Sequence, residues 1–357
     1  MKGCLVFFPI RRPCIGLHVG PRALTLAEVG RDWRRGGRGW RLRRVERCEV
    51  PPGLVRLSFA EKNILDVRAL AGHVRGLVGN GKGHCVALSL PDECARIALF
   101  DFETLPQKPA QVDSLLRWRF QRDLSMAVGD ARMPYRVFYP NPVAGHPANR
   151  MVRVLAAAVR EEIVSQYEQM CEDAGVIPAA IGLSSLALLD SCRAAMTASS
   201  DHALFLHLTD SGFAFVAFQQ GCPTFFRIKA LHQDPPPTAD GVDPTANQDA
   251  PGFSAEQLAQ EVVATLCFYA DRYVRAVDET GLAASSLYLV KGQERLDPAV
   301  ENPGKDLGAH LSSGSVPDSL NLNLITLDWS ALCVSRSGPE DPLPGSGLPA
   351  LAALLAA

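Results

Sequence analysis

The sequence predicts an α/β protein of two lobes, built by duplicating one strand-strand-strand-helix unit, with a small α+β segment set into the first copy. Three observations carry that expectation. Three β-rich runs and an amphipathic helix occupy residues 15–78, and the same succession returns about 190 residues later, over 203–277. Between them lies a stretch with its own strand-like runs around a helix. At 357 residues the chain is long enough for two lobes, since domains usually run about 100 to 200 residues.

In the first unit, residues 15–19 and 23–29 read as short strands. A polar turn holding Gly36, Gly37 and Gly39 leads to a third strand from Trp40. Asp66 can cap a helix whose apolar face is Leu70, Val74, Leu77 and Val78, at the 3.6-residue period. The intervening segment offers strands at 86–90, 95–100 and 135–139 around a helix over 110–124. Next come a strand-like run at 151–159 and an amphipathic helix over 161–174 on Ile163, Val164, Tyr167, Met170 and Cys171. Residues 179–183 then lead into an Ala/Leu-rich helix ending near Ala195.

The second unit has runs at 203–208, 213–219 and 224–231, separated by the Asp210-Ser211-Gly212 and Gln220-Gly221 turn signals. Ser254 and Gln257 fit a capping box, and Leu258, Val262, Leu266, Tyr269 and Tyr273 continue a helix to about Val277. The expected layout is a first lobe of 1–84 plus 150–198, an insert of 85–149 and a second lobe of 199–357. Residues 233–252, with five prolines and four aspartates, have no apolar set to bury and read as a loop, as do 301–318.

Composition narrows the function. A net charge of −2 gives the whole molecule no attraction to nucleic acid or anionic lipid. Ten cysteines without a CxxC pair or zinc spacing read as free thiols in a reducing compartment, with no metal site. The longest apolar stretches, 3–10 and 347–357, fall short of the roughly 18 to 20 residues that cross a bilayer. Pro9, Arg11 and Arg12 interrupt any secretory signal, so a cytoplasmic location is expected.

Local wording adds a resemblance. Ile15-Gly16-Leu17-His18-Val19-Gly20 followed by Leu24-Thr25-Leu26-Ala27-Glu28, then Pro51-Pro52-Gly53-Leu54-Val55 and Asn63-Ile64-Leu65-Asp66, resembles the opening of the type IV pilus assembly protein PilM family. Ala87-Leu88-Ser89-Leu90-Pro91, Leu116-Arg117-Trp118-Arg119-Phe120 and the ending Gly347-Leu348-Pro349-Ala350-Leu351 resemble it too, so the likeness runs nearly the whole chain. That family is related to FtsA and to the cytoplasmic part of the secretion protein GspL. The resemblance implies a duplicated actin-like (ribonuclease H-like) ATPase fold and a cytoplasmic scaffold peripheral to the inner membrane. It also implies a bitopic partner similar to PilN gripped by its N-terminal tail, pilus or secretion motor and platform proteins as further partners, and contact with the membrane only through them.

In actin-like ATPases each half offers an Asp-x-Gly hairpin, whose carboxylates hold magnesium while loop amides cradle phosphate. Carried over by resemblance, the cleft here comprises His18, Gly20, Arg22, His207, Thr209, Asp210, Gly212 and Gly292. His18 stands where the first Asp belongs. His207 and Thr209 replace the second Asp and Gly, and Asp210 substitutes only if the alignment slips. Imidazole is a poor ligand for magnesium, and Pro21 removes an amide donor. The expectation is therefore a pseudo-ATPase with no catalytic residue and weakened ATP and magnesium binding. The alternative is an active ATP-dependent enzyme, an ATPase or a kinase of the same fold.

Between Arg11 and Arg47 there are eleven arginines against three acidic residues, a local charge of +8. Arg34, Arg35, Arg38, Arg41, Arg43 and Arg44 are its hairpin patch, read either as a solvated tip or as a contact for anionic lipid or an acidic partner. No nucleic-acid motif accompanies it. On the helix over 110–124, Leu115, Trp118 and Arg119 are candidate partner contacts as well as candidate core. Gly76 to Lys82 matches a P-loop until Gly83, but ends a helix before a strand, so it reads as a helix stop. Ser184, Ser185 and the eight histidines lack the spacing of a hydrolase.

Overall fold

A computed structural model describes residues 13–32, 39–79, 83–140, 151–199, 202–209, 211–231, 255–274, 285–290, 322–327, 334–336 and 350. The chain opens on a meander of β1 (Ile15–Val19), β2 (Ala23–Asp32) and β3 (Gly39–Glu49), then crosses through α1 (Val67–Val78) to β4 (Cys85–Leu90). A 3₁₀ turn at Asp92–Cys94 leads into β5 (Ala95–Phe102), α2 (Pro109–Leu124), β6 (Ala131–Arg132), β7 (Tyr135–Phe138) and β8 (Val152–Arg160). Next come α3 (Glu161–Ala174), β9 (Ile177–Leu183) and α4 (Ser184–Ser199). The second meander is β10 (His202–Thr209), β11 (Gly212–Gln219) and β12 (Cys222–Ala230). It is followed by α5 (Ala255–Tyr269), with a π turn at Ala270–Val274, then β13 (Ser285–Val290), β14 (Leu322–Thr326) and β15 (Val334–Arg336).

Strand order makes the duplication explicit. The first large sheet runs β15-β3-β2-β1-β4-β9 and the second β12-β11-β10-β13-β14. Without β15, both place the third, second, first, fourth and fifth strands of a unit in that order. In each the first strand is antiparallel to the second and parallel to the fourth.

Alternation along the strands sets the layers. Leu17, Leu24, Leu26 and Leu88 point to one face of the first sheet and pack on α1 and α3 through Leu70, Val74, Ile163 and Tyr167. Leu204, Leu206, Phe213 and Phe215 pack on α5 through Leu258, Val262 and Leu266. The opposite faces of the two sheets share α4: Ala27, Val29 and Ala87 from the first and Phe205, Val216 and Phe218 from the second meet Leu188, Leu189, Cys192 and Met196. Each large side chain buried in this way contributes about 1.5–3 kcal/mol. Small residues on the first sheet's inner face, with Gly16 beside Ala27 and Ala87, leave room for α4 to approach.

Several local expectations hold. Asp66 Oδ1 accepts the Ala69 amide at 2.9 Å and starts α1. Gly79, at φ +82°, ends it, which agrees with a helix stop rather than a phosphate loop. Strand pairing, however, divides the insert differently from 85–149. β4 pairs with β1 and β9 inside the first large sheet, whereas β8 is the centre of the small sheet, paired with β5 from Ala95↔Val159 to Phe102↔Val152. β15 lies beyond residue 199, yet it pairs with β3 through Val334↔Trp40. A strand's apolar pattern records how deeply it is buried and leaves its partner unspecified. The segments 233–252 and 301–318 and the end of the chain from 351 lie outside the described residues.

Candidate functional site

His18 and His207 both sit on the inner faces, in the first strand of their respective units. His18 pairs with Thr25 and Ser89, and His207 with Ala214 and Val290. Both are buried. The duplication thus brings the two histidines to corresponding places on either side of the N-terminus of α4, and that helix opens on Ser184 and Ser185.

A hydrogen-bond cluster fills the space between the units. His18 Nδ1 lies 3.1 Å from the Ser89 carbonyl; a carbonyl only accepts, so Nδ1 carries the proton. The Ser89 and Ser184 hydroxyls are both 3.3 Å from the same nitrogen. Ser184 Oγ donates to the Leu90 carbonyl at 2.8 Å and, 3.0 Å from Ser89 Oγ, accepts from it. Ser185 Oγ lies 2.7 Å from His207 Nδ1 and donates to Asp92 Oδ2, while the Ser185 amide donates to Asp92 Oδ1 at 3.1 Å. Next to Asp92, Glu93 Oε1 accepts from Ser211 Oγ in the β10–β11 hairpin and from Thr209 Oγ1 at 3.5 Å.

Burial governs the charge state of this cluster. Desolvation lowers His18 to about 4, against a smaller upward pull from its bond to the Ser89 backbone. Desolvation, then the neighbouring His18, lowers His207 to about 3. Desolvation, then the charge of Glu93, lifts Asp92 to about 7, although its bonds to Ser185 favour the ionised form. At neutral pH both imidazoles are uncharged. Ser185 stands between a carboxyl and an imidazole and is 1% exposed, so its hydroxyl is taken up by these two internal partners.

The other candidates part ways. The Gly20 amide is spent on the Ala23 carbonyl at 2.9 Å, and the Arg22 carbonyl accepts from Val50. Gly212, at φ +154°, lets β11 pass so close to the Lys229 carbonyl that any side chain would overlap it. Asp210 and Gly292 lie outside the described residues, as do Arg34, Arg35 and Arg38. Arg41 is exposed, whereas Arg43 and Arg44 pair with Glu28 at 3.6 and 3.4 Å and Arg44 also with Glu46 at 3.1 Å, which lowers the positive charge of the patch.

On α2, Leu115 packs against the small sheet's core. Arg119 lies over Phe100 and Phe102, pairs with Asp123 at 2.5 Å and donates to the Asp101 carbonyl, so these two serve the insert itself. Trp118 is different: it is 51% exposed, with the Arg122 guanidinium 4.2 Å from its ring centre.

A nucleotide with magnesium fits this donor set badly. Magnesium favours oxygen ligands, and His18 and His207 present neutral, hydrogen-bonded imidazoles to this space. Asp92 is tied to Ser185, and both it and Glu93 would face phosphate with like charge when ionised. Among the described residues no group of three or more His, Cys, Asp or Glu side chains could hold a metal, and no helix is long and apolar enough to cross a membrane. The sequence reading missed Ser89, Asp92, Glu93 and Ser211 and weighed Ser184 and Ser185 only as nucleophiles. The available signal was a Ser-Ser pair between a strand and a helix, and an acidic pair directly after Pro91.

The duplicated strand order gives the chain a two-lobed, actin-like fold. Among solved structures, the chain is similar to one in a PilM-PilN type IV pilus biogenesis complex: TM-score 0.67 and 18% identity, covering 98% of this chain and 99% of that one. An actin-like ATPase-fold protein of unknown function from Bacteroides thetaiotaomicron covers 88% of this chain and 91% of its own at 8% identity and TM-score 0.46. The cytoplasmic domain of EpsL, an inner-membrane component of the Vibrio cholerae type II secretion system, covers 83% and 93% at 8% identity and TM-score 0.40. The last two superpose too loosely to carry argument. No family model matches the chain, and no curated protein does.

Proposed function

We propose that the protein is a non-hydrolysing actin-like scaffold of a type IV pilus or type II secretion platform, peripheral to the inner membrane, which holds the N-terminal tail of a bitopic partner similar to PilN. The observation that carries this is the end-to-end likeness of fold to the PilM-PilN complex. Two local features support it. The first is a cleft whose imidazoles suit protein-internal hydrogen bonds better than a metal. The second is Trp118, a large ring left exposed on the insert's helix, where a peptide can bury it.

The test is calorimetric titration of the full chain with a peptide of the candidate partner's cytoplasmic tail. Binding is expected, and Trp118→Ala should weaken it about tenfold or more with an unchanged melting temperature, since an exposed aromatic anchor contributes to the interface and little to the fold. Binding indifferent to Trp118 would displace the contact from α2. Magnesium-dependent ATP turnover above a buffer control would favour the enzyme reading instead.

A further inference from the structure

We propose that the 3₁₀ turn carrying Asp92 and Glu93 is a latch that fastens the second unit to the first, so that the two units are held together by the chain's own side chains and need no bridging metal nucleotide. The proposal rests on the contacts of the cleft and not on the scaffold reading.

Two connections cross between the units from adjacent residues of one turn. Asp92 holds Ser185, which meets His207 on β10; Glu93 holds Ser211 and Thr209 at the β10–β11 hairpin. The turn is anchored firmly on the first unit's side. Cys94 donates its amide to the Pro91 carbonyl at 3.2 Å, and its sulfur accepts from Asn63 Nδ2 at 2.9 Å and contacts the buried Tyr167 hydroxyl at 3.8 Å. The other side is the β10–β11 hairpin, which Glu93 reaches through the hydroxyls of Ser211 and Thr209.

Proton placement keeps the chain satisfied whatever the state of Asp92. With Asp92 ionised, Ser185 Oγ–H donates to the carboxylate and His207 Nδ1–H donates to Ser185 Oγ. With Asp92 protonated, its O–H donates to Ser185 Oγ, whose own proton turns to His207 Nδ1. Neither arrangement needs a cation, and in both the Asp92–Ser185–His207 Nδ1 contacts are made. The Glu93 arm is weaker, because its Oε2 is buried without a partner.

The experiment is hydrogen exchange followed by mass spectrometry on the full chain, for wild type, Ser185→Ala, Glu93→Ala and the double variant, each with and without millimolar magnesium ATP. Amides of the β10–β11 turn and of residues 92–95 should exchange roughly tenfold faster in either single variant and faster still in the double, since each variant removes a bond to a charged or strongly polar group. The small-sheet strands β5 and β8 should be unchanged, and magnesium ATP should protect nothing. Should Ser185→Ala fail to fold, Glu93→Ala, at a partly exposed side chain, reads the latch alone. Unchanged exchange at the turn in Glu93→Ala, or protection of the wild-type cleft by magnesium ATP, would overturn the proposal.

Discussion

Three buried groups of the cleft should contribute to the loss of stability on acidification, and single substitutions among them should change its slope in opposite directions. His18 and His207 fall from the ordinary 6.5 to about 4 and about 3, and Asp92 rises from 3.8 to about 7. At a pH between about 4 and 6, the unfolded chain carries a proton on each histidine and none on Asp92. The folded chain carries none on the histidines and one on Asp92. Unfolding therefore takes up one net proton, and stability falls by about 1.4 kcal/mol for each pH unit of acidification from these groups.

Asp92→Asn removes the folded state's proton, so uptake becomes two and the slope about doubles. His207→Asn removes one proton from the unfolded state and brings these groups' slope close to zero. His202, also lowered by burial, adds the same increment to every variant and cancels in the comparison. Urea unfolding at several pH values across that window measures the slopes directly. Equal slopes in the three proteins would refute the assignment of neutral imidazoles facing a protonated carboxyl.

Two further outcomes follow from packing. Phe205→Ala, in the core shared by both sheets and α4, should cost about 3–5 kcal/mol in urea unfolding, because the surrounding sheets cannot collapse onto the cavity. Gly212→Ala should cost about 1–3 kcal/mol and lower the melting temperature, because the added methyl meets the Lys229 carbonyl with no flexible group to yield.

Periodicity made most elements legible. Leu70, Val74 and Leu77 marked α1 and Ile163, Tyr167 and Met170 marked α3, because one apolar stripe at helical spacing serves one core face. The meanders were readable from turn residues such as Gln220-Gly221, which adopt φ +49° and +76°. What escaped were pairings between distant parts of the chain. Nothing in the run at 85–90 says that it joins β1 rather than β5. Ser185 and Asp92 stand 93 positions apart, each an unremarkable polar residue until the duplication folds them together. The histidines were found through resemblance, and their neutral, hydrogen-bonded state required the partners.

The duplication also explains why these positions are sensitive. Two copies of one unit sharing α4 must turn the inner faces of β1 and β10 toward each other, so whatever stands at His18 and His207 meets its counterpart's surroundings in a closed, poorly hydrated space. Two carboxylates there would repel by about 4 kcal/mol if 4 Å apart at an effective dielectric near 20, and such a pair closes only around a cation. Two neutral imidazoles carry no such penalty. Each can donate or accept, and serines already lie within hydrogen-bond distance, Ser89 and Ser184 of His18 and Ser185 of His207. On the latch proposed above, neutral imidazoles at these two equivalent positions let the chain hold the inner faces together with its own side chains.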